Sequence, residues 1–266
     1  MMRNLPYDSQ NSSNNSESDL SQTLIILIVP CFNEESRWNS EYWKRIGQIP
    51  DLKLCFVNDG SKDGTSMGIA PLLVDSNHTL LELPRNVGKA EAIRQGFNFI
   101  LNEHVLGIGF LDADGAFPIS DIESQIEQFR RLSESTSNPP SVWSSRVKLA
   151  GRFIERDLKR HYLARILVTL LAIRLKFTIY DTQCGMKIFP YSKSLEHCMQ
   201  EPFRTHWFVD LEIFMRWRKE TGSDLNIWEE PLLGWNDVAG SKLSGRQYLT
   251  VLKDIQQLNA YARDAR

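Results

Sequence analysis

The hydrophobic signal of this chain begins abruptly. Residues 1–22 are polar and low in complexity, and then Thr23–Pro30, TLIILIVP, forms a continuous β-branched run typical of a strand buried on both faces. Runs of the same kind follow at KLCFVND (Lys53–Asp59), HTLLELP (His78–Pro84), VLGIGFLDAD (Val105–Asp114) and SVWSSR (Ser141–Arg146). The spacers leave room for helices. Between Gly88 and Glu103 an apolar stripe runs through Ala90, Ile93, Phe97, Ile100 and Leu101, and Ile119–Leu132 is a second helical candidate. Strand alternating with helix predicts an α/β fold with a mainly parallel sheet flanked by helices. Ligands of such sheets bind at the carboxyl ends of the strands.

After Arg146 the pattern changes to a long basic and apolar helical stretch reaching about Lys176. A helix near Phe208–Lys219, a short strand at LNIWEEPLL and a last helix from about Arg246 follow. The expected organisation is a polar, disordered tail at 1–22 and one domain at 23–266. Its two halves are about 23–146 and about 147–266.

Composition narrows the function classes. With 266 residues, 42% apolar and 24% charged, the chain reads as an ordinary folded protein, and a net charge of −2 argues against coating nucleic acid through bulk charge. Cys31, Cys55, Cys184 and Cys198 are far apart without CxxC spacing, so they are expected as reduced thiols in a cytosolic compartment. No zinc spacing is present. NDGSKDGT resembles half a calcium loop but has Ala70 at the glutamate position, and NVGKA has Leu83 where a phosphate loop needs glycine.

Three strand ends carry the candidate chemistry: PCFNEE (Pro30–Glu35), NDGSKDGT (Asn58–Thr65) and LDADG (Leu111–Gly115). Asp112 and Asp114, two apart at a strand end, can face one crevice, and their hard oxygens suit Mg²⁺ or Mn²⁺ shared with a diphosphate. Taken alone, DADG also reads as a tight turn with Asx capping.

In this order and on these strands, the three motifs resemble glycosyltransferase family 2, enzymes of the GT-A (Rossmann-like) fold that use nucleotide-sugar donors. SSRVKLAGRFIERDLKR, DTQCGMKIF (Asp181–Phe189), WFVDLEIF (Trp207–Phe214) and the GSKLS of Gly240–Ser244 are similar to the dolichyl-phosphate β-glucosyltransferase branch. The resemblance covers about Thr23–Arg263. It implies that Pro30, Phe32, Glu34 and Asp59 hold the nucleotide, with Asp59 at the uracil imide, and that Lys89 stands beside it. It makes Asp112 and Asp114 the DxD motif, with Asp114 the direct metal ligand, and has Lys242 close over the diphosphate. Arg146 and Arg160 would grip the acceptor phosphate. Asp210 and Glu212 are either active-site carboxylates shaping the acceptor pocket or partners of the basic segment. Gly185 and Cys184 read as turn and packing. Two departures stand out. Ala116 occupies a position where many relatives carry Gln, which fits a glucose rather than a mannose donor, and a polar tail stands where eukaryotic relatives have a membrane helix.

Residues 146–176 carry nine Lys and Arg against Glu155 and Asp157, a net +7 within a chain of −2. Helical spacing from Leu163 sets Leu163, Ile166, Leu167, Leu170 and Leu171 against Arg165, Thr169, Ala172 and Lys176. The apolar run is shorter than the roughly 20 residues needed to span a bilayer. The segment 152–176 is therefore read as a basic amphipathic helix lying on a membrane surface, with a core helix or a dimer contact as the competing reading. The expected protein transfers a hexose, glucose from UDP-glucose, with inversion to a polyprenyl phosphate. It would work at the cytosolic face of a membrane, through a C-terminal helical, membrane-facing elaboration and without nucleic acid. A family 2 enzyme with a soluble sugar or protein acceptor, and a nucleotide-sugar-binding protein without catalysis, are the alternatives.

Overall fold

The computed structural model describes residues 23–74, 76–101, 105–155, 158–206, 208–236 and 245–264. The expected tail at 1–22 and the GSKLS segment with Lys242 lie outside the described residues.

β1 (Ile25–Cys31) and β2 (Leu52–Asn58) pair in parallel with Ile25 opposite Leu52, and almost every residue of both is buried. Alternation along β1 sends Ile26 and Ile28 into one apolar cluster and Ile25, Leu27 and Val29 into another, so the sheet has a core on each face. β3 (Thr79–Glu82), β4 (Gly107–Leu111) and β5 (Ser141–Ser145) extend it, and β6 (Phe153–Glu155) stands apart. With β7 (Met186–Pro190) and β8 (Ile227–Pro231) the sheet has seven strands in the order β3-β2-β1-β4-β7-β5-β8, while β9 (Gly234–Asn236) pairs with β6 in a separate ribbon.

The helices are α1 (Ser40–Gly47), α2 (Thr65–Ile69), α3 (Lys89–Phe99), α4 (Ile119–Ser135), α5 (Leu158–Leu175), α6 (Lys193–Gln200), α7 (Val209–Thr221) and α8 (Gly245–Asp264). On one face α1 and α4 bury Trp43, Ile46, Ile122, Ile126 and Phe129. On the other, α3, α6 and α7 bury Ile93, Phe97, Leu195, Leu211 and Phe214. Truncating a buried ring such as Phe129 or Phe97 to alanine costs about 3–5 kcal/mol. Local signals set the helix starts: Asn39 accepts from the Tyr42 amide at 3.0 Å, and Ser192 accepts from the Leu195 amide at 3.2 Å.

The α/β expectation holds, with one addition. β7, read in the sequence only as part of a motif, lies between β4 and β5 and runs antiparallel to both. Its first residue therefore sits at the carboxyl edge of the parallel strands, and it draws the preceding turn, residues 181–185, into the crevice there.

The surface of α5 differs from the predicted one. Val168, Leu171 and Leu175 face the core, whereas Leu170 (60% exposed) and Ile173 (73% exposed) point outward beside Arg174. The buried side centres on Val168, Leu171 and Leu175, and Leu170, about 100° round the helix from Leu171, falls outside it. Arg165, placed on the polar side by spacing, donates to the Tyr180 carbonyl at 2.7 Å and stacks on the Tyr180 ring. No helix among the described residues is long and apolar enough to cross a membrane.

Candidate active site

The three predicted strand ends meet. The loop after β1 interlocks with the loop after β2: the Asn33 amide donates to Ser61, the Lys62 amide to the Asn33 side chain, and the Glu35 amide to Asp63. Asn33 takes a left-handed backbone (φ 54°), which asparagine tolerates better than most residues. Pro30 is half-buried between Val29 and Cys31, both buried, near the end of β1, Phe32 stands half exposed just beyond it, and buried Glu34 binds Arg37 through both carboxylate oxygens.

Asp59 is buried and already engaged. Its carboxylate accepts from the amides of Val87 (2.7 Å) and Gly88 (2.9 Å) and from the Asn86 side chain (3.0 Å). In this structure the residue expected at the uracil also shapes the loop leading to Lys89. The Lys89 ammonium in turn pairs with Asp112. Crowding by the surrounding protein works against its charge although the side chain is partly exposed, but Asp112, with Asp210 and Asp114 further off, more than offsets this and holds Lys89 above the ordinary lysine range.

Asp112 and Asp114 follow β4 directly. Asp114 is largely buried, and burial together with the Asp112 charge pushes its carboxyl up, while the Ala116 amide and the charges of Arg37 and Lys89 pull the other way. Two carboxylates this close, one desolvated, form a donor set that a divalent cation relieves. Among the described residues no group of three or more His, Cys, Asp or Glu side chains stands together. Asp112 and Asp114 would supply two acidic ligands among the described residues, with substrate oxygens adding others, as is usual for Mg²⁺ on diphosphates. The residues fit the metal.

Across the crevice, Asp181 accepts from the Arg146 amide (3.0 Å), Nε (2.8 Å) and Nη2 (2.9 Å), and the guanidinium lies over the Trp235 ring at 5.1 Å. Burial disfavours the Arg146 charge, and Asp181 more than restores it. Glu229 on β8 accepts from the amides of Tyr180 and Asp181, fixing the turn from the far side. Arg160 lies on α5, with its side chain outside the described residues. Next to the DADG turn, Phe153, Glu155 and Trp235 line an open cavity of about 460 Å³ together with Gly115 and Ala116.

The two carboxylates of α7 depart from expectation. Glu212 is fully buried and accepts from the amides of Arg204 and Thr205, from Arg216 (2.7 Å) and from the Tyr261 hydroxyl (3.0 Å). These contacts tie α7 to the preceding loop and to α8, and among the described residues the ionic partner of Glu212 is Arg216 of the same helix. Asp210 is buried as well and pairs at 2.5 Å with Lys187, which is fully buried. Sequence reading passed over Lys187, Arg37 and Asp181 as individual site residues. A signal for Lys187 existed: in MKIFP it alternates with Met186 and Ile188 and so shares a face with Phe189, a core position.

A family model described as Glycosyl transferase family 2 matches residues 26–189, which include every one of these strand ends. The chain belongs to glycosyl transferase family 2. Among its relatives in this family is a dolichyl-phosphate beta-glucosyltransferase of Trichomonas vaginalis, 29% identical over 92% of this chain and 76% of the relative. The dolichyl-phosphate beta-glucosyltransferase of Saccharomyces cerevisiae is 27% identical over 86% of this chain and 72% of its own length. Among solved structures, a glucosyl-3-phosphoglycerate synthase from Mycobacterium tuberculosis, in complex with Mn²⁺, uridine diphosphate and glucosyl-3-phosphoglycerate, aligns with TM-score 0.62 at 15% identity. That alignment covers 98% of this chain and 86% of the synthase. At that identity the likeness shows the fold, and the fold is the one the family resemblance implied.

Proposed function

We propose that this family 2 glycosyltransferase moves glucose from UDP-glucose to a polyprenyl phosphate of the dolichyl type, with inversion at the anomeric carbon. The relatives named above support the donor and the acceptor class. An oxygen of the acceptor phosphate attacks the anomeric carbon, the bond from that carbon to the β-phosphate oxygen breaks, and UDP leaves with the electron pair.

The observation that carries the phosphate acceptor is the engagement of both candidate bases. A sugar or protein hydroxyl needs a carboxylate to take its proton, yet Asp210 is held by Lys187 and Glu212 by Arg216 and two backbone amides. A phosphate monoester, with a second pKa of about 6, is already a nucleophile at neutral pH and asks for positioning instead. Arg146, locked on Asp181, supplies a fixed cation on the acceptor side. Asp112 and Asp114 would hold a Mg²⁺ or Mn²⁺ ion, and Lys89 adds positive charge beside them. Bound there, the metal would stabilise the charge of the departing diphosphate. Pro30, Phe32, Glu34 and Asp59 form the nucleotide side, and Arg160 and Lys242 complete the proposed set.

The acceptor is a membrane lipid, and we place the enzyme at the cytosolic face as a peripheral protein. Outward-facing Leu170 and Ile173 beside Arg174 support contact with the headgroup boundary. Flotation with anionic liposomes tests this placement: the parent chain should float, and the Leu170→Asp/Ile173→Asp variant should not. Equal behaviour of the two rejects this contact.

The deciding assay offers radiolabelled UDP-glucose, UDP-N-acetylglucosamine or GDP-mannose with polyprenyl phosphate or soluble acceptors. Label from UDP-glucose should enter the lipid phase; label entering only soluble products overturns the acceptor assignment.

A further inference from the structure

Lys187 is the one described lysine with no exposed surface. An ammonium in a protein core is costly unless all its protons are satisfied. Here they are: Nζ meets Asp210 at 2.5 Å and donates to the carbonyls of Cys184 (2.6 Å) and Thr182 (3.3 Å). The rings of Trp143 and Phe110 surround the rest, at 4.9 and 5.5 Å. A methionine could fill this space without desolvation, and replacing a buried ion pair by apolar groups is often neutral for stability. Methionine has no donor, whereas the ammonium binds two carbonyls of the 181–185 turn and Asp210 of α7 at once.

That turn bounds the crevice on two sides. Its Asp181 holds Arg146 through three hydrogen bonds. The Gly185 carbonyl accepts from the Asp112 amide at 2.9 Å, and a Cβ on Gly185 would collide with the Asp112 carboxylate. We infer that Lys187 is a positioning residue: paired with Asp210, it clamps the 181–185 turn and thereby sets Asp112 on one side of the crevice and Arg146 on the other. It touches no substrate. The inference deepens the proposed function, since it rests on Asp112 and Arg146 being site residues.

The test uses the full chain and the double variant Lys187→Met/Asp210→Leu, which removes both charges so that neither is left buried alone. Two readouts follow in protein shown by its melting curve to be folded. Mn²⁺ affinity in the presence of UDP, from the spin-resonance signal of free Mn²⁺, should fall about tenfold, the usual scale for loss of a group that orients a metal ligand. Cys184, 1% exposed in the parent, should alkylate faster with iodoacetamide, as located by peptide mass. A folded double variant with Mn²⁺ affinity and Cys184 labelling within twofold of the parent overturns the clamp. Should that variant not fold, Lys187→Met/Asp210→Asn, which also removes both charges but keeps the shape at 210, decides by the same readouts and the same criterion. If the parent itself does not bind Mn²⁺ with UDP, the proposed function fails, and Cys184 labelling alone still decides whether Lys187 holds the turn.

Discussion

Gly185 lies against the carboxylate of Asp112 so closely that there is no room for a side chain between them. The glycine is required by this approach, since its backbone is not left-handed. Gly185→Ala is therefore expected to displace Asp112 while sparing the core. Misplacing a site group by about 1 Å can cost on the order of 10²-fold in rate. The expected outcome is a kcat/KM about 10²-fold lower with a nearly unchanged melting temperature, measured with UDP-glucose and polyprenyl phosphate. Parent-like kinetics would separate Asp112 from the reaction.

Asp114→Ala tests the metal assignment directly. Removing one of the two proposed acidic ligands should abolish the Mn²⁺ response of turnover and weaken Mn²⁺ binding with UDP, with a rate loss on the order of 10²–10³-fold. Undiminished turnover takes the metal role away from this residue.

Glu212→Gln should act on stability rather than on chemistry. Arg216 would keep its carbonyl partners at Cys198, Glu201 and Pro202 but lose its counter-charge in a buried setting. Breaking such a pair costs about 3–5 kcal/mol. Urea unfolding should show this loss, while the folded fraction keeps its kcat within about twofold. A stable, inactive variant would restore Glu212 as an active-site carboxylate.

His78 gives a pH-dependent element far from the crevice. Its Nδ1 accepts from the Leu54 amide at 3.3 Å, and burial, with the nearby Lys53 charge, holds the ring below its ordinary pKa of 6.5. The native state thus prefers neutral His78, and the unfolded chain takes up the proton first. Stability is full above about pH 6.5, falls as the pH drops through that value, and levels off below the lowered native pKa. Comparing urea midpoints at pH 7.5 and 5.5, the parent should lose more than His78→Asn, whose side-chain carbonyl can take the place of Nδ1. Equal losses in the two proteins count against a lowered His78.

Much of this was legible in the sequence because it is local. Unbroken apolar runs marked β1, β2 and β4, and the acidic turns after them could only emerge at one edge of a parallel sheet. What escaped depends on contacts far apart in the chain. β7 is five residues long and ends in proline, so its alternation is too short to fix its partners; its place between β4 and β5 comes from pairing. The ionic partners of Asp210 and Glu212 escaped for the same reason. A carboxylate in a helix reads alike whether it faces substrate or a buried cation, and only packing distinguishes the two. On α5 the spacing was sound but its phase was not, because the core selects Val168, Leu171 and Leu175 from a helix with apolar residues on all sides.

The antiparallel insertion of β7 also bears on how the molecule can be divided. Within the seven-stranded sheet β5 pairs only with β7 and β8, and β4 only with β1 and β7. A polypeptide ending at residue 146 would leave β5 with no neighbour and β4 with a bare edge beside its acidic turn. The nucleotide-facing half is therefore not a transplantable module, and a ribosome must have released the chain past Pro190 before the two sides of the crevice can be joined.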